Sequence, residues 1–149
     1  MSTISFKSVG KSAEDVLAEQ LSQVRVPIGP VTPLRAGSGA QFFEMHDSLA
    51  DQVRDNLRNL LLTNRGERLI LTSYGADLRP LAAEFAGLQQ FDAEAIQKIR
   101  DAVAAWMPLV ELDTYASELR DDSVLITISY NVAALAVSGE QLQFQVNLA

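Results

Sequence analysis

The last third of the chain alternates. Val124, Ile126, Ile128, Tyr130 and Val132 interleave with Leu125, Thr127, Ser129 and Asn131, and Leu142, Phe144, Val146 and Leu148 interleave with Gln141, Gln143, Gln145 and Asn147. A side-chain period of two is the pattern of strands that bury one face. A shorter run from Val110 through Leu112 to Thr114 precedes them, with turns expected at Arg120-Asp121-Asp122 and at Ser138-Gly139. Short turns between such runs make an antiparallel meander.

Upstream the period is that of a helix. Leu49, Val53, Leu57, Leu60 and Leu61 share a face of a helix over Ser48–Arg65, with Asp51, Arg54, Asp55 and Arg58 largely elsewhere. Asp47 or Ser48 is placed to cap it, and Gly66 to end it in the left-handed conformation. Asp77 is expected to cap a shorter helix carrying Leu81, Phe85 and Leu88, with Pro80 in its first turn. Asp92 is expected to cap another, carrying Ile96, Ile99, Val103 and Trp106 and stopping before Pro108. A further short helix is expected over Ser12–Val24, where Val16, Leu17, Leu21 and Val24 form a stripe. Residues 25–41, with Pro27, Pro30 and Pro33, read as an extended connector. Helices followed by a meander give an α+β domain, with amphipathic helices packed on an antiparallel sheet formed mainly by the C-terminal third.

Composition narrows the chemistry. Of 149 residues, 19 are acidic and 12 basic, a net charge of −7, which argues against nucleic acid or an anionic membrane as partner. The absence of cysteine excludes disulfides and thiolate chemistry, and His46, the single histidine, cannot form a histidine cluster for a metal. No cofactor and no catalytic residue are expected. Val9-Gly10-Lys11-Ser12 is a partial phosphate loop, but the glycine required five positions before Gly10 is Ser5. Glu44, Glu67, Asp77 and Glu84 could supply the paired carboxylates of a sugar hydrolase, though solvated carboxylates are the ordinary reading of such residues. The N-terminus lacks the long apolar stretch of a signal peptide, which points to synthesis in the cytoplasm.

The informative stretch is Leu60-Leu61-Leu62-Thr63-Asn64-Arg65-Gly66-Glu67-Arg68, followed by Tyr74-Gly75-Ala76-Asp77-Leu78. It reads as a helix, a glycine stop, adjacent opposite charges that should seek separate partners, a short apolar piece over Leu69–Thr72, and a glycine turn into the next helix. A local salt-bridge network at a helix corner would account for it. The run also resembles the signature of the short baseplate wedge proteins of contractile-tail phages, a family once labelled lysozyme-like. Its members carry a Leu-Leu-Thr helix end, a Gly-Glu-Arg or Glu-Pro-Arg turn and an aromatic-Gly-x-x-Leu segment, all present here in order. Pro33-Leu34-Arg35 through Gly39 is similar to the family's entry segment, and Trp106-Met107-Pro108 and the Val124–Val132 strand to its second half.

The resemblance covers roughly residues 26–134. It implies a baseplate domain that contacts wedge proteins around the tail tube, in several copies with sixfold arrangement, and offers the first template to sheath protein. The particle would be assembled in the host cytoplasm. Gly66, Glu67, Arg68 and Tyr74 are implied as the wedge contact, with Glu67 and Arg68 as its charged pair. Residues 1–25 form an extension outside the resemblance. Residues 135–149 are expected to hold a C-terminal strand that sheath subunits use, through Leu142, Phe144 and Val146, and on that view the domain folds without residues 140–149. The alternative is a peptidoglycan-cleaving tail enzyme using Glu67 or a neighbouring acid.

Overall fold

The computed structural model describes residues 26–38, 41–84 and 88–147. The helix expected over Ser12–Val24, Phe85, Leu148 and the side chain of Leu88 lie outside the described residues. Two short strands, β1 (Gly29–Pro30) and β2 (Met45–His46), form an antiparallel pair. Helices α1 (Leu49–Leu62), α2 (Leu78–Glu84) and α3 (Leu88–Trp106) follow, and then strands β3 (Glu111–Arg120), β4 (Ser123–Val132) and β5 (Val137–Asn147). The three long strands form the expected meander, in the order β3-β4-β5, antiparallel throughout. The α+β reading holds.

The alternation translates directly into layers. Val124, Ile126, Ile128, Tyr130 and Val132 of β4 are buried, as are Leu142, Phe144 and Val146 of β5. They meet Leu57, Leu60 and Leu61 of α1, Leu78, Leu81 and Ala82 of α2, and Phe91, Ala95, Ile99, Ala102 and Val103 of α3 in one core. Helices α1 and α2 lie over β5 and α3 over β3. The opposite sheet face carries Thr127, Ser129, Gln143 and Gln145, and Gln143 donates to Thr127 Oγ1 at 3.3 Å. Burying each large apolar side chain stabilises by about 1.5–3 kcal/mol. Residues on both sides of position 135 therefore belong to one hydrophobic unit, and β5 is a wall of it.

Several boundaries differ from expectation. Helix α1 ends at Leu62, with Thr63 as its extended C-cap donating its N–H to Asn59 O at 3.1 Å. Gly66 is left-handed as expected (φ 85°), but in a turn beyond the helix. Ser48 occupies the N-cap without a side-chain bond. Asp77 has φ 58°, and its carboxylate takes Lys98 Nζ and the Arg65 N–H, both at 3.4 Å, reaching away from the helix it was expected to cap. Asp92 lies inside α3 and not at its start, because nothing between Leu88 and Phe91 breaks the helix; it accepts from Tyr115 Oη at 2.9 Å. The β4–β5 connection is a 3-10 turn over Ala133–Leu135 with Ala136 left-handed. Gly139 sits instead at a bulge in β5, its positive φ allowing the N–H to reach Asn131 Oδ1 at 2.7 Å.

Asp55 ties the first hairpin to α1. Its Oδ2 accepts from Thr32 N–H (2.8 Å) and Thr32 Oγ1 (3.0 Å) and bonds His46 Nε2 (2.8 Å). Burial acts to raise the Asp55 pKa, but the Thr32 and His46 bonds outweigh it and bring it below the ordinary carboxylate value. A lowered folded-state pKa means that the stabilisation is present above the unfolded value and is lost as pH falls through the folded one. Asp55→Ala is expected to cost about 1.5–3 kcal/mol at neutral pH, with a smaller difference from wild type in acid. Thermal denaturation at both pH values checks this.

Candidate functional site

Between α1 and α2 the chain leaves the core and returns. Its ends are closed by backbone bonds, Asp77 N–H to Thr63 O at 3.4 Å and Ala76 N–H to Leu60 O at 3.2 Å, which makes residues 64–76 a compact loop of the Ω type. Gly75 makes the closure possible. Its φ is 121°, and a β-carbon there would overlap the carbonyl of Thr63. Inside the loop Gly66 donates its N–H to Thr72 O at 2.8 Å, and Tyr74 donates to Leu71 O at 3.0 Å.

Glu67 and Arg68 part company as their adjacency predicts. Glu67 turns inward along the loop, accepting from Asn64 N–H at 2.9 Å and Asn64 Nδ2 at 2.7 Å, and lies 3.6 Å from Arg79. The Asn64 backbone bond, then its side-chain bond, and then the Arg79 charge hold its pKa below the usual value. Arg68 stacks over the Tyr74 ring, 3.7 Å from the centroid, a cation–π contact. Tyr74 in turn meets Trp106, at the end of α3, edge-on with centroids 5.2 Å apart. Burial raises the Tyr74 pKa against the opposing effect of Arg68.

Four of the expected site residues, Gly66, Glu67, Arg68 and Tyr74, thus share one braced loop. Glu67 is engaged within the chain, and Tyr74 is the half-buried platform beneath Arg68. What the loop presents outward is Leu69, Ile70 and Leu71, with 100%, 93% and 42% of their surface exposed. Sequence reasoning registered them as an apolar piece but not as a site. The signal was there: three consecutive large aliphatics with neither period, directly after a charged turn.

The other expected residues lie elsewhere. Leu142, Phe144 and Val146 point into the chain's own core, so β5 has only its backbone edge and its polar face to offer. Arg79 links the two regions: it meets Glu67 and also lines a small hollow with Gln145, Val146 and Asn147.

A general acid for sugar cleavage needs a raised pKa, and Glu67 is shifted the other way. Glu44 lies 3.9 Å from Arg35, and Asp77 is bonded to Lys98. Among the described residues no group of three His, Asp or Glu side chains could hold a metal, and no helix is long and apolar enough to cross a membrane.

Known proteins share this architecture. A candidate tail lysozyme from Geobacter sulfurreducens is 21% identical, with a TM-score of 0.62 over 71% of this chain and 96% of that one. A chain of the sixfold-symmetrised baseplate of the anti-feeding prophage is 19% identical, with a TM-score of 0.60 over 70% of this chain and 83% of that one. At such identities the likeness is one of fold. No curated protein matches the sequence significantly. The model of the family described as baseplate wedge protein gp25 matches residues 47–136, which span α1 through β4 and contain the whole 64–76 loop. That is more than half of the chain, and the protein belongs to the gp25 family of baseplate wedge proteins.

Proposed function

We propose that the protein is a non-enzymatic subunit of a contractile-tail baseplate, which docks on other wedge proteins through the tip of the 64–76 loop and starts the sheath at the free edge of β5. The observation that carries this reading is the exposed Leu69-Ile70-Leu71 tip on a loop closed by its own hydrogen bonds. Apolar side chains held out in water by a braced loop are what a docking surface presents. Arg68 beside them supplies a planar cation for a partner's carboxylate while Tyr74 fixes its position.

Strand β5 supports the second half of the proposal. Among the described residues it pairs with β4 on one side only, and from Gln141 to Asn147 it carries no lysine, proline or bulge to blunt the other. Such an edge suits strand addition by a sheath subunit. Several copies around the tail tube, in sixfold arrangement like that of the prophage baseplate, would form a ring of these templates. Assembly would take place in the host cytoplasm.

The decisive experiment pairs binding with a cell-wall assay. Purified protein is expected to leave peptidoglycan intact from acidic to neutral pH. Arg68→Ala is expected to weaken wedge binding by about 2–5 kcal/mol through the stranded partner charge, while thermal stability falls by about 1 kcal/mol or less. Release of sugar fragments that depends on Glu67 would establish the enzyme instead. Equal losses of binding and stability in Arg68→Ala would reduce the loop to a local brace.

A further inference from the structure

Two hollows follow the side of β5 that no strand of the described chain pairs. The larger, about 210 Å³, lies between Arg54 and Arg58 of α1 and Leu142 and Gln143 of β5. The smaller, about 50 Å³, continues it between Leu61, Leu62 and Arg79 on the helical side and Gln145, Val146 and Asn147. A helix rises about 1.5 Å per residue and a strand about 3.3 Å. Arg54 to Leu61 and Leu142 to Val146 therefore advance by similar lengths, and α1 runs beside the strand edge as the wall of a groove.

That wall carries two arginines, Arg54 and Arg58, beside Asp51 and Asp55, in a chain whose net charge is −7. Arg54 and Arg58 are exposed, and neither makes an ion pair with any described residue. One helical turn apart, they repel each other within the isolated chain. Asp55, on the same stretch, is turned onto Thr32 and His46, which leaves Asp51 and, towards the start of β5, Glu140 as the nearby carboxylates to offset them. Arg79 adds a third cation, held only by its 3.6 Å contact with exposed Glu67.

The spacing is specific. Residues four apart on a helix are about 6 Å apart along its axis, and residues two apart on a strand, which share a face, are about 6.6 Å apart. Resting on the reading of β5 as a template, we infer that the strand added to its open edge carries two carboxylates in an acidic-x-acidic pattern on the side facing α1. Arg54 and Arg58 then read the strand while the β5 backbone holds it. The same charges disfavour other occupants. A second copy pairing β5 to β5 would bring Gln141–Asn147, which has no acid, and Glu140 as a single carboxylate and not an alternating pair, and the alternating stretch Ser2–Ser8 at the chain's own start carries Lys7 and no acid.

The test uses the full chain and the full sheath subunit of the same particle. Hydrogen exchange is expected to slow at residues 141–147 of the complex. Arg54→Glu/Arg58→Glu should weaken binding by about 30-fold or more and flatten its salt dependence. The melting temperature should hold, with Arg54→Gln/Arg58→Gln as the milder variant if it does not. Replacing the sheath strand's acidic pair by lysines should restore binding to the glutamate variant. Protection at 141–147 with unchanged affinity in both arginine variants would overturn the acidic-strand inference and leave the template standing. No protection at 141–147 would overturn both, and self-association that protects those residues would assign the edge to a second copy.

Discussion

Removing residues 140–149 is expected to leave no folded chain. The deletion takes Leu142, Phe144 and Val146, each between 3% and 5% exposed, out of a core they share with all three helices. Truncating one buried leucine or phenylalanine typically costs about 2–5 kcal/mol, and whole domains are stable by only about 5–15 kcal/mol. The deletion also strips β4 of one of its two partners and exposes its central apolar run. The sequence-based expectation that this segment is dispensable for folding is thereby reversed, for a physical reason: the same side chains that looked available to a partner close the chain's own core. Circular dichroism of the truncated protein checks the outcome, and Phe144→Ala, at about 3–5 kcal/mol, supplies a graded version measurable by denaturant titration.

The loop tip should behave in the opposite way. Leu69→Asp/Ile70→Asp is expected to reduce wedge binding at least 100-fold, about 2.7 kcal/mol, with little change in melting temperature. Both side chains are almost wholly in water, so the free protein loses no packing, and surface substitutions of this kind usually stay within about 0.5 kcal/mol. In a complex that covers them, two desolvated aliphatics contribute about 1.5–3 kcal/mol each, and a carboxylate in their place must be buried unpaired. Isothermal titration against the purified wedge partner measures the loss. Undiminished binding would move the docking surface off this loop.

How much of this could be read beforehand depended on the range of the interaction. Period-two residues such as Ile126 and Phe144 announced their strands and their buried face because alternation is local to the backbone. Val53, Leu57, Leu60 and Leu61 announced α1 likewise. The start of α3 was misplaced because Asp92, expected to cap it, bonds Tyr115 across 23 positions; Asp77 does directly precede α2, but its carboxylate bonds Lys98 across 21 positions and not the helix end. The divergence of Glu67 and Arg68 followed from their adjacency, yet the stacking of Arg68 on Tyr74 and the edge-on contact of Tyr74 with Trp106 did not, since loop closure sets those distances. Arg54 and Arg58 were legible only as residues off the apolar face. Their place beside Leu142 and Gln143 is created by the packing of α1 on a strand more than eighty residues later.

The internal bonds of the 64–76 loop have a consequence for kinetics. Fixing one residue's backbone costs about 1–2 kcal/mol in lost conformational freedom. Here that ordering occurs when the chain folds, driven by the Thr63, Asn64, Gly66 and Tyr74 bonds, and not at the moment of contact. A partner meets a finished shape, so encounter should proceed at the rates of rigid docking, about 10⁵–10⁷ M⁻¹s⁻¹, without a slow rearrangement after collision. In a particle built by successive additions, a subunit of this kind contributes no waiting time of its own.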